Sequence, residues 1–396
     1  MSFVIPLNPQ AASAETMADR LALRLATTAV ARDQAGGHAA EERQWIRDSG
    51  LLSLTIPAAH GGQGADWPTF YRTLRRLAEA DSALAHVYGF HHLQLASVQL
   101  YGSPEQHARY LRGTIEHGWF WGNALNPLDK RLVATEVDGG YRLDGLKGFA
   151  SGALGSDQLV VSAWLPDREA LLVGVVPTGR DGVAVQGDWD AFGQRQTDSG
   201  TVTFDQVALA HAEVLQAPGT VPTPQATLRS QLAQLILVNL YTGIARGAFD
   251  AARRYTVEES RPWFASGVSR AADDPFVQHR YGDLWLKVRP AIVLADDAAQ
   301  RLDQAFRRGA ALTAADRGEV ALAVAEAKVL AHRAAIEVSS QLFELTGARS
   351  TSTRLGLDRF WRNARVHTLH DPVDYKLRTL GRHALLGELP EPTAYS

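Results

Sequence analysis

Cysteine is absent from this chain of 396 residues, and methionine occurs only twice, as Met1 and Met17. The absence of cysteine excludes disulfides, thiolate metal sites and cysteine nucleophiles. Alanine, leucine and valine occupy positions where methionine ordinarily serves as a flexible gap filler, and folding physics does not require that replacement. The scarcity of sulfur amino acids indicates a protein made when sulfur is limiting, with compositional drift as the alternative explanation.

Excess charge of either sign and long apolar runs are missing as well. The net charge of -3 gives no electrostatic footprint for nucleic acid or for an anionic membrane. No window approaches the roughly 18 apolar residues that a membrane span needs, and the N-terminus has no basic leader followed by an apolar core. We therefore predict a cytoplasmic protein with neither nucleic-acid nor membrane partners.

The usual motifs of several enzyme classes are also missing. The sequence has no GxGxxG after a strand, no Walker loop, no HExxH and no GxSxG. Rossmann dinucleotide binding, phosphoryl transfer, zinc proteolysis and α/β-hydrolase chemistry therefore lack their signatures, and no metal site is predicted.

Hydrophobic periodicity divides the chain into three regions. Helical spacing runs to about residue 117, short β-like runs separated by turns follow, and long alanine-rich helices occupy the remainder. Asp138-Gly139-Gly140 has the composition of a hairpin turn. We predict an α+β protein with an N-terminal α-helical domain (1–117), a central β-barrel or sandwich domain (118–220) and a C-terminal four-helix bundle (221–396). The four long helices are predicted at 225–259, 275–308, 314–346 and 355–370.

The stretch from Arg359 to Arg382 concentrates two histidines, an aspartate and several cations around Asp371-Pro372. Proline disfavours helix in the residue before it, so one helix should end near His370 and another should begin just after it. Asp371 is predicted to cap the second helix, with Pro372 at its first position. A capped junction with a solvated basic face is the structural alternative.

Aromatic and histidine positions elsewhere are candidates for a ligand pocket. One of the adjacent histidines His91 and His92 could reach a pocket, although a satisfied core histidine is the more frequent outcome. The run from Trp119 to Asn123 combines aromatic rings with an amide, and Trp189 lies in a turn-rich segment. Both arrangements suit a flat conjugated ring, and both are also compatible with an ordinary core.

Motifs along the whole chain resemble the acyl-CoA dehydrogenase superfamily, and within it the flavin-dependent monooxygenase branch that includes dibenzothiophene monooxygenase and enzymes acting on sulfones and sulfinates. They extend from about residue 40 to the C-terminus, so the resemblance is not confined to one segment. The motifs that carry it are GLLSLTIPAAHGG, YGFHH, WGNA, KGFASGALGSDQLVVSA, GQRQTDSG, ESRPW, ADRGE, FELTGARS and DRFWRNARVHTLHDPVDYK.

One departure separates the chain from the dehydrogenases of that superfamily. Those enzymes remove a substrate proton with a glutamate, commonly from the loop that corresponds to His370 and Asp371. Here the loop reads LHDPV, and no glutamate occurs between Glu344 and Glu388. Asp371 is one methylene shorter and is predicted to serve as a cap. Dehydrogenation is therefore the weaker interpretation.

The resemblance implies a two-component reaction. A separate NAD(P)H-dependent flavin reductase supplies reduced FMN, oxygen (O2) adds at its C4a position, and the hydroperoxyflavin oxygenates an organosulfur compound for sulfur scavenging. The cofactor carries the reactive chemistry, while the protein orients it and excludes water. The resemblance also implies a homotetramer.

The resemblance assigns roles to ten positions. His370 would act in proton transfer, because imidazole gives and takes protons near neutral pH. Arg261 would clamp the phosphate, because its fork binds phosphate oxygens in pairs. Glu344 and Gly347 would contact the cofactor of a neighbouring subunit. The predicted catalytic residues are His370, His91 and Ser151. The predicted cofactor-binding residues are Asn123, Asn126, Ser151, Trp189, Arg261, Glu344, Gly347, His370 and Asp371.

Three other functions remain open at this stage. An FAD-dependent acyl-CoA dehydrogenase would retain its flavin and need a carboxylate base. A flavin-dependent amine N-hydroxylase of the same fold would oxidise nitrogen, and a non-catalytic scaffold would need no polar groups converging on a pocket. Among sulfur substrates, a sulfinate or a small sulfone is preferred over a thioether.

Overall fold

The computed structural model describes residues 13–393 and 395–396. The N-terminal stretch through residue 12, which is predicted to carry no leader, lies outside the described residues. The first region is helical, as predicted. Asp66 caps its third helix by accepting a 2.9 Å hydrogen bond from Thr69 N, and Ser103 caps the fifth. The helices are α1 (Ala14–Ala35), α2 (Ala40–Asp48), α3 (Trp67–Ala80), α4 (Ser82–Tyr101) and α5 (Pro104–His117).

Helix α4 is the central element of the N-terminal region. Every residue from Ser82 to Val98 is buried, so this helix lies inside the protein on all of its faces. It packs against α3 and against the first strand of the sheet. Its position explains why the histidines that it carries have little access to bulk solvent.

A single mixed sheet of eight strands follows. The predicted hairpin is confirmed, because Val137 pairs with Gly140 and Gly139 takes a φ of 80° in the turn. The Trp121–Ala124 segment forms a strand that runs parallel to β4, which the sequence did not predict. The strands are β1 (Trp121–Ala124), β2 (Leu132–Val137), β3 (Gly140–Lys147), β4 (Gln158–Leu165), β5 (Ala170–Pro177), β6 (Val183–Val185), β7 (Val202–Ala210) and β8 (Val214–Gln216).

Long helices make up the C-terminal region, and the predicted helices 275–308 and 314–346 are confirmed. Helix α6 is long and apolar enough to cross a membrane by length and composition, yet 89% of its most apolar window is buried inside the protein, which is typical of a core helix. The helices are α6 (Leu228–Glu258), α7 (Pro275–Arg308), α8 (Ala314–Thr346), α9 (Asp358–Thr368) and α10 (Val373–Leu386).

The break between α9 and α10 lies where the proline predicts it, but Asp371 is not the cap. Pro372 occupies the N-cap position of α10, and no side chain caps that helix. The carboxylate of Asp371 turns inward instead, to the ammonium group of Lys328 on α8. The prediction that Asp371 caps α10 was wrong because a buried cation holds its carboxylate more strongly than a backbone N–H.

The changes of structural type lie close to the predicted domain boundaries. Helix gives way to strand between His117 and Trp121, and strand gives way to helix between Gln216 and Leu228. The division into domains at 117/118 and 220/221 stays a prediction. One apolar core joins the N-terminal helices to α6, α7 and α8, and a second core lies within the sheet.

Candidate active site

A cavity of about 440 Å³ lies where α4, the start of α6, the corner between α9 and α10, and loops of the sheet meet. Its volume is in the range of small-molecule and cofactor sites. Its lining consists of His86, Phe90, Leu93, Asn123, Leu125, Asn126, Pro127, Phe149, Ser151, Trp189, Gln194, Thr197, Ser199, Arg229, Ala233, Gln234, Val366, His367, Leu369, His370 and Tyr395.

One face of α4 forms a wall of this cavity. His86, Phe90 and Leu93 follow each other at spacings of four and three residues, which places them on the same side of a helix. The rings of His86 and Phe90 stack with their centroids 4.1 Å apart. The face therefore presents a flat aromatic surface with an imidazole at one end.

His86 on α4 and His367 on α9 form a buried imidazole pair. His367 Nε2 lies 2.8 Å from His86 Nδ1, so one ring donates and the other accepts. Burial lowers the pKa of His86 to about 3 and lowers that of His367 well below its usual range, so both rings are neutral at neutral pH. His86 Nε2 and His367 Nδ1 have no partner among the described residues, so both nitrogens can bond a ligand.

The corner residue His370 is held by a chain of polar contacts that begins on α6. Gln234 Oε1 accepts from Lys328 Nζ at 2.5 Å, and the same ammonium group contacts Asp371 Oδ1. Asp371 Oδ1 lies 3.0 Å from His370 Nδ1, which then donates to the carboxylate. This contact fixes the tautomer of His370 and leaves its Nε2 for other partners.

The ionisation of this chain follows from its burial and charges. Burial raises the pKa of Asp371, but the hydrogen bond with His370 and the charge of Lys328 outweigh it, so the pKa lies below its usual range. Burial lowers the pKa of Lys328, although the neighbouring carboxylate counteracts part of that effect. The aspartate is therefore a fixed anion, engaged on two sides.

The sheet contributes a row of hydroxyl and amide groups. Ser151 Oγ lies 2.8 Å from Ser199 Oγ, which donates to Thr197 Oγ1 at 2.8 Å. Asn123 on β1 accepts from Gln94 Nε2 at 3.1 Å through its side-chain oxygen. The backbone N–H of Asn123 donates to Ser151 O at 2.9 Å, which ties the strand to the loop that carries the serine.

Aromatic rings and strained backbone mark the mouth of the cavity. Trp189 Nε1 donates to Gln194 O at 2.9 Å, and the Phe149 ring lies 6.1 Å from the Trp189 ring, centroid to centroid. Phe149 and Gln194 have positive φ values of 54° and 52°, a conformation that is uncommon outside glycine and recurs at ligand sites. The Phe149 side chain is 70% exposed, so a large apolar surface is available there.

A buried lysine supports the loop that carries Asn126. Lys147 Nζ donates to Asn126 O at 3.0 Å and to Ser162 Oγ at 3.1 Å, and it also contacts Asp129 O. Burial lowers the pKa of this lysine to about 8. The role of Lys147 was not predicted from the sequence, because its partners are 15 to 21 residues away along the chain.

Five of the predicted positions line the cavity: Asn123, Asn126, Ser151, Trp189 and His370. Asp371 lies directly behind His370 and contacts it. The structure therefore brings six of the predicted residues to one place. Whether they bind a cofactor stays a prediction.

His91 does not line the cavity, and the prediction that it does was wrong. Its Nε2 bonds Leu52 O at 2.9 Å, and its Nδ1 accepts from Trp121 N at 3.2 Å. Burial lowers the pKa of His91 to about 3, so it is a neutral structural histidine. Its neighbour His92 is equally buried and bonds Leu51 O and Thr55. The cavity histidine of α4 is His86, which lies five residues earlier and faces the other way.

Arg261, Glu344 and Gly347 lie outside the lining of the cavity, on a second surface. All three are exposed, and Glu344 pairs with Arg280 of α7. The segments that carry them adjoin each other, because Ser260 Oγ donates to Thr346 O at 3.5 Å. Within one chain, none of the three borders the cavity that His370 lines.

The cavity has the features that a flat, polar ring system requires. Trp189, Phe149 and Phe90 offer aromatic faces, and Asn123, Ser151 and the imidazoles offer hydrogen bonds at the edges. Four buried polar atoms on its lining have no partner among the described residues: His86 Nε2, Gln194 Oε1, Arg229 Nη2 and His367 Nδ1. Unpaired buried groups are costly, so these atoms are typical of a site completed by a ligand. An isoalloxazine ring fits these requirements.

Among the described residues, none of those that line the cavity is an aspartate or a glutamate. The positive charge of Arg229 is therefore not balanced by a carboxylate on the lining. The lining instead combines imidazoles, amides and hydroxyls, which exchange or share protons without carrying a fixed negative charge. This arrangement suits an anionic ligand and lacks a carboxylate base.

Comparison with known families matches most of the chain. A model described as the acyl-CoA dehydrogenase N-terminal domain matches residues 9–117, and one described as the acyl-CoA dehydrogenase C-terminal domain matches residues 235–375. The chain is 48% identical to the probable FMNH2-dependent monooxygenase SfnC of Pseudomonas putida over 393 residues, which cover 99% of each chain.

Two solved structures are similar along their whole length. Methanesulfinate monooxygenase MsuC of Pseudomonas fluorescens superposes with a TM-score of 0.95 at 46% identity, covering 98% of this chain and 100% of that one. The complex of TdsC from Paenibacillus sp. A11-2 with FMN and indole superposes with a TM-score of 0.94 at 41% identity, covering 97% and 100%.

Proposed function

This chain belongs to the acyl-CoA dehydrogenase family, and on that premise we propose that it is an FMNH2-dependent monooxygenase that oxygenates a small organosulfur compound. The predicted acyl-CoA dehydrogenase-like fold is confirmed by the same similarities. In the overall reaction FMNH2 supplies two electrons and two protons. One oxygen atom of O2 becomes bonded to sulfur, and the other leaves as water.

The observation that carries the proposal is that the cavity lining, within the part of the chain that the structure describes, has no free carboxylate. An acyl-CoA dehydrogenase needs such a group to remove a substrate proton. The nearest carboxylate at the corner, Asp371, is held by Lys328 and His370 and has a lowered pKa. It is therefore a poor base, whereas oxygen transfer to sulfur needs only a group that can give and receive a proton.

Reduced FMN supplies the activated oxygen when it is bound, and the chain supplies its setting. Trp189 and Phe149 would cover the ring, and Asn123, Asn126 and Ser151 would bond its polar edge. Their present contacts favour this role, because Trp189 is held by Gln194 O and Asn126 is held by Lys147. Second-layer contacts of this kind keep a binding residue in one geometry.

His370 would be the residue that moves a proton. Its Nδ1 donates to Asp371, so its Nε2 remains available to give a proton to the departing oxygen and to regain one from solvent. Asp371 and Lys328 are positioning residues, because they orient the imidazole without reaching the reacting atoms. The His86–His367 pair would hold a ligand through its two unpaired nitrogens.

The partners follow from the chemistry. Reduced FMN reacts with oxygen when free, so a separate flavin reductase has to deliver it, and the substrate is a small molecule. We also propose a homotetramer, in which the surface formed by Arg261, Glu344 and Gly347 reaches the cofactor of a neighbouring subunit. That surface is exposed in the single chain and carries the arginine suited to a phosphate. We further propose that the enzyme is cytoplasmic.

Labelled oxygen tests the proposal directly. The protein is given 18O2 and reduced FMN from a generic reductase, with a panel of sulfinates, sulfones, thioethers and amines, and the products are weighed by mass spectrometry. One labelled oxygen on sulfur is the expected result. Label on nitrogen would indicate an N-hydroxylase. Retained FAD that an acyl-CoA bleaches without oxygen would contradict the proposal and indicate a dehydrogenase.

A further inference from the structure

Arg229 is a deeply placed cation that faces the cavity. It lies in the first turn of α6, and its Nε donates to Ser97 Oγ on α4 at 2.6 Å. The residue lines the cavity and keeps part of its surface accessible there, although protein surrounds it otherwise. Burial lowers its pKa, yet an arginine stays protonated at neutral pH. A full positive charge therefore faces the ligand space.

No carboxylate balances that charge among the described residues. Arg229 takes part in no ion pair there, and its Nη2 has no acceptor. The first turn of a helix adds a further unfavourable field, because the positive end of the helix dipole lies there. A buried cation without a counterion is costly unless a ligand provides one.

The surroundings of Arg229 are small and apolar. Ala233 lies one turn further along α6, and Leu93 lies one turn before Ser97 on α4, so both side chains border the same end of the cavity. A ligand placed there would have an anionic head against the guanidinium and a short apolar group against Leu93 and Ala233. No aspartate or glutamate from residues 13–393 or 395–396 lines the cavity to repel such an anion.

We propose that Arg229 recognises the substrate as an anion, and that the substrate class is the short alkanesulfinates. The inference rests on the proposed monooxygenase function and narrows it. A sulfinate carries two oxygens on one sulfur, and the guanidinium fork matches such a pair with two parallel hydrogen bonds. The sulfur lone pair is then left free to form the new S–O bond. Neutral sulfones and thioethers leave the arginine without a counterion.

The reaction balances with the components already named. The sulfur lone pair forms a bond to one oxygen of O2, the O–O bond breaks, and the second oxygen leaves as water. FMNH2 supplies the two electrons and two protons, and the sulfinate is oxidised to a sulfonate. The sulfonate keeps its single negative charge, so the product remains a ligand of Arg229 and serves as an unreactive probe.

Direct binding of methanesulfonate tests the inference without turnover. Isothermal titration compares the wild type with Arg229→Gln, Arg229→Lys and the control Arg254→Gln, which removes an exposed arginine from the same helix. Arg229→Gln is expected to weaken methanesulfonate binding about 10-fold to 100-fold, because a charge-assisted hydrogen bond is lost. Arg229→Lys should lose less, and Arg254→Gln should bind as the wild type does.

Steady-state kinetics distinguish a role of Arg229 in binding the substrate anion from a role in binding the cofactor. The KM for methanesulfinate should rise in Arg229→Gln by a similar factor, while oxygenation of neutral dimethyl sulfide at sulfur and the affinity for FMN by fluorescence quenching should be unchanged. Thermal unfolding checks that the variant is folded, and Arg229→Lys provides the comparison if Arg229→Gln is not. An equal loss of FMN affinity would instead make Arg229 a phosphate clamp and overturn the inference.

The remaining outcomes distinguish the inference from the proposed function. Oxygen transfer to dimethyl sulfide without methanesulfonate binding would overturn the inference and leave the monooxygenase function intact. Methanesulfonate binding that depends on Arg229, together with no oxygen transfer to any compound, would support the anion site and contradict the monooxygenase function.

Discussion

Two buried cations flank the same cavity and differ in their partners. Lys328 contacts the carboxylate of Asp371 and the amide of Gln234, whereas the one side-chain hydrogen bond of Arg229 among the described residues goes to a serine hydroxyl. The first cation is neutralised within the chain and fixes the geometry of His370. The second is not neutralised, and the structure leaves space beside it.

The difference separates a structural charge from a binding charge. A buried ion pair that satisfies itself makes no demand on a ligand, and its removal affects folding. A buried cation without an anion costs stability in the empty protein, and this cost is regained when an anion binds. Lys328 has an anionic partner inside the chain, which indicates a structural role. Arg229 has no such partner among the described residues, which indicates a role in substrate binding.

Breaking the ion pair between Lys328 and Asp371, the structural pair, should have the largest effect on stability. Lys328→Met leaves Asp371 as a buried charge without a cation, which is expected to destabilise the fold by about 3–5 kcal/mol. Denaturant unfolding measures the change. The double variant Lys328→Met with Asp371→Asn should recover part of the loss, because no isolated charge remains. A Lys328→Met variant as stable as the wild type would show that Lys328 is not a structural charge.

Removing the His370 imidazole, which the structural pair orients, should lower activity without affecting the fold. His370→Ala is expected to lower oxygen transfer at least about 100-fold, because a positioned proton donor is lost. Unfolding should change little, since the His370 side chain is 40% exposed. His383→Ala, which removes a half-buried histidine of α10 that lies outside the cavity lining, is the matched control. Unchanged product formation in His370→Ala would assign proton transfer to another residue.

Lys147 is a third buried cation and sharpens the comparison, because neutral backbone oxygens are among its acceptors. Lys147→Met leaves Asn126 O and Asp129 O unpaired and is expected to cost about 1–3 kcal/mol. Arg168→Met, which removes an exposed ion pair of the same sheet, should cost less than about 1 kcal/mol. Equal losses in the two variants would show that burial of Lys147 contributes nothing.

Acid should weaken the structural pair by a smaller, graded amount. The folded-state pKa of Asp371 lies below the value of about 3.9 that an aspartate has in an unfolded chain. The stabilisation is therefore complete above that value and declines as the pH falls below about 4. The stability difference between wild type and Asp371→Asn should shrink over this range. If the stability difference grew as the pH fell, the folded-state pKa of Asp371 would lie above its unfolded value, contrary to this prediction.

The corner between α9 and α10 illustrates what sequence can and cannot predict. Its position followed from Pro372 alone, because the effect of proline on the preceding residue is local. The partner of Asp371 did not follow, because Lys328 lies 43 residues away and only the packing of α8 brings the two together. Long alanine-rich helices were predicted to the residue in two cases for the same local reason.

The features that were not predicted differ in whether the sequence could have revealed them. His86 could have been identified, because His86, Phe90 and Leu93 form one helical face. Arg229 could not, since an arginine in the first turn of a helix has the sequence pattern of a solvated residue. Strand β1 was missed because its four residues pair in parallel with β4, which lies more than 30 residues later. Such contacts depend on tertiary structure.

The contact between Lys328 and Asp371 also limits how this fold can exchange one reaction for another during evolution. A glutamate appearing at position 371 would still face the Lys328 ammonium group, which would keep its carboxylate a weak base. Loss of Lys328 alone would strand the charge of Asp371 in the interior. The two positions would have to change together, so a path from this site to proton abstraction crosses an epistatic barrier.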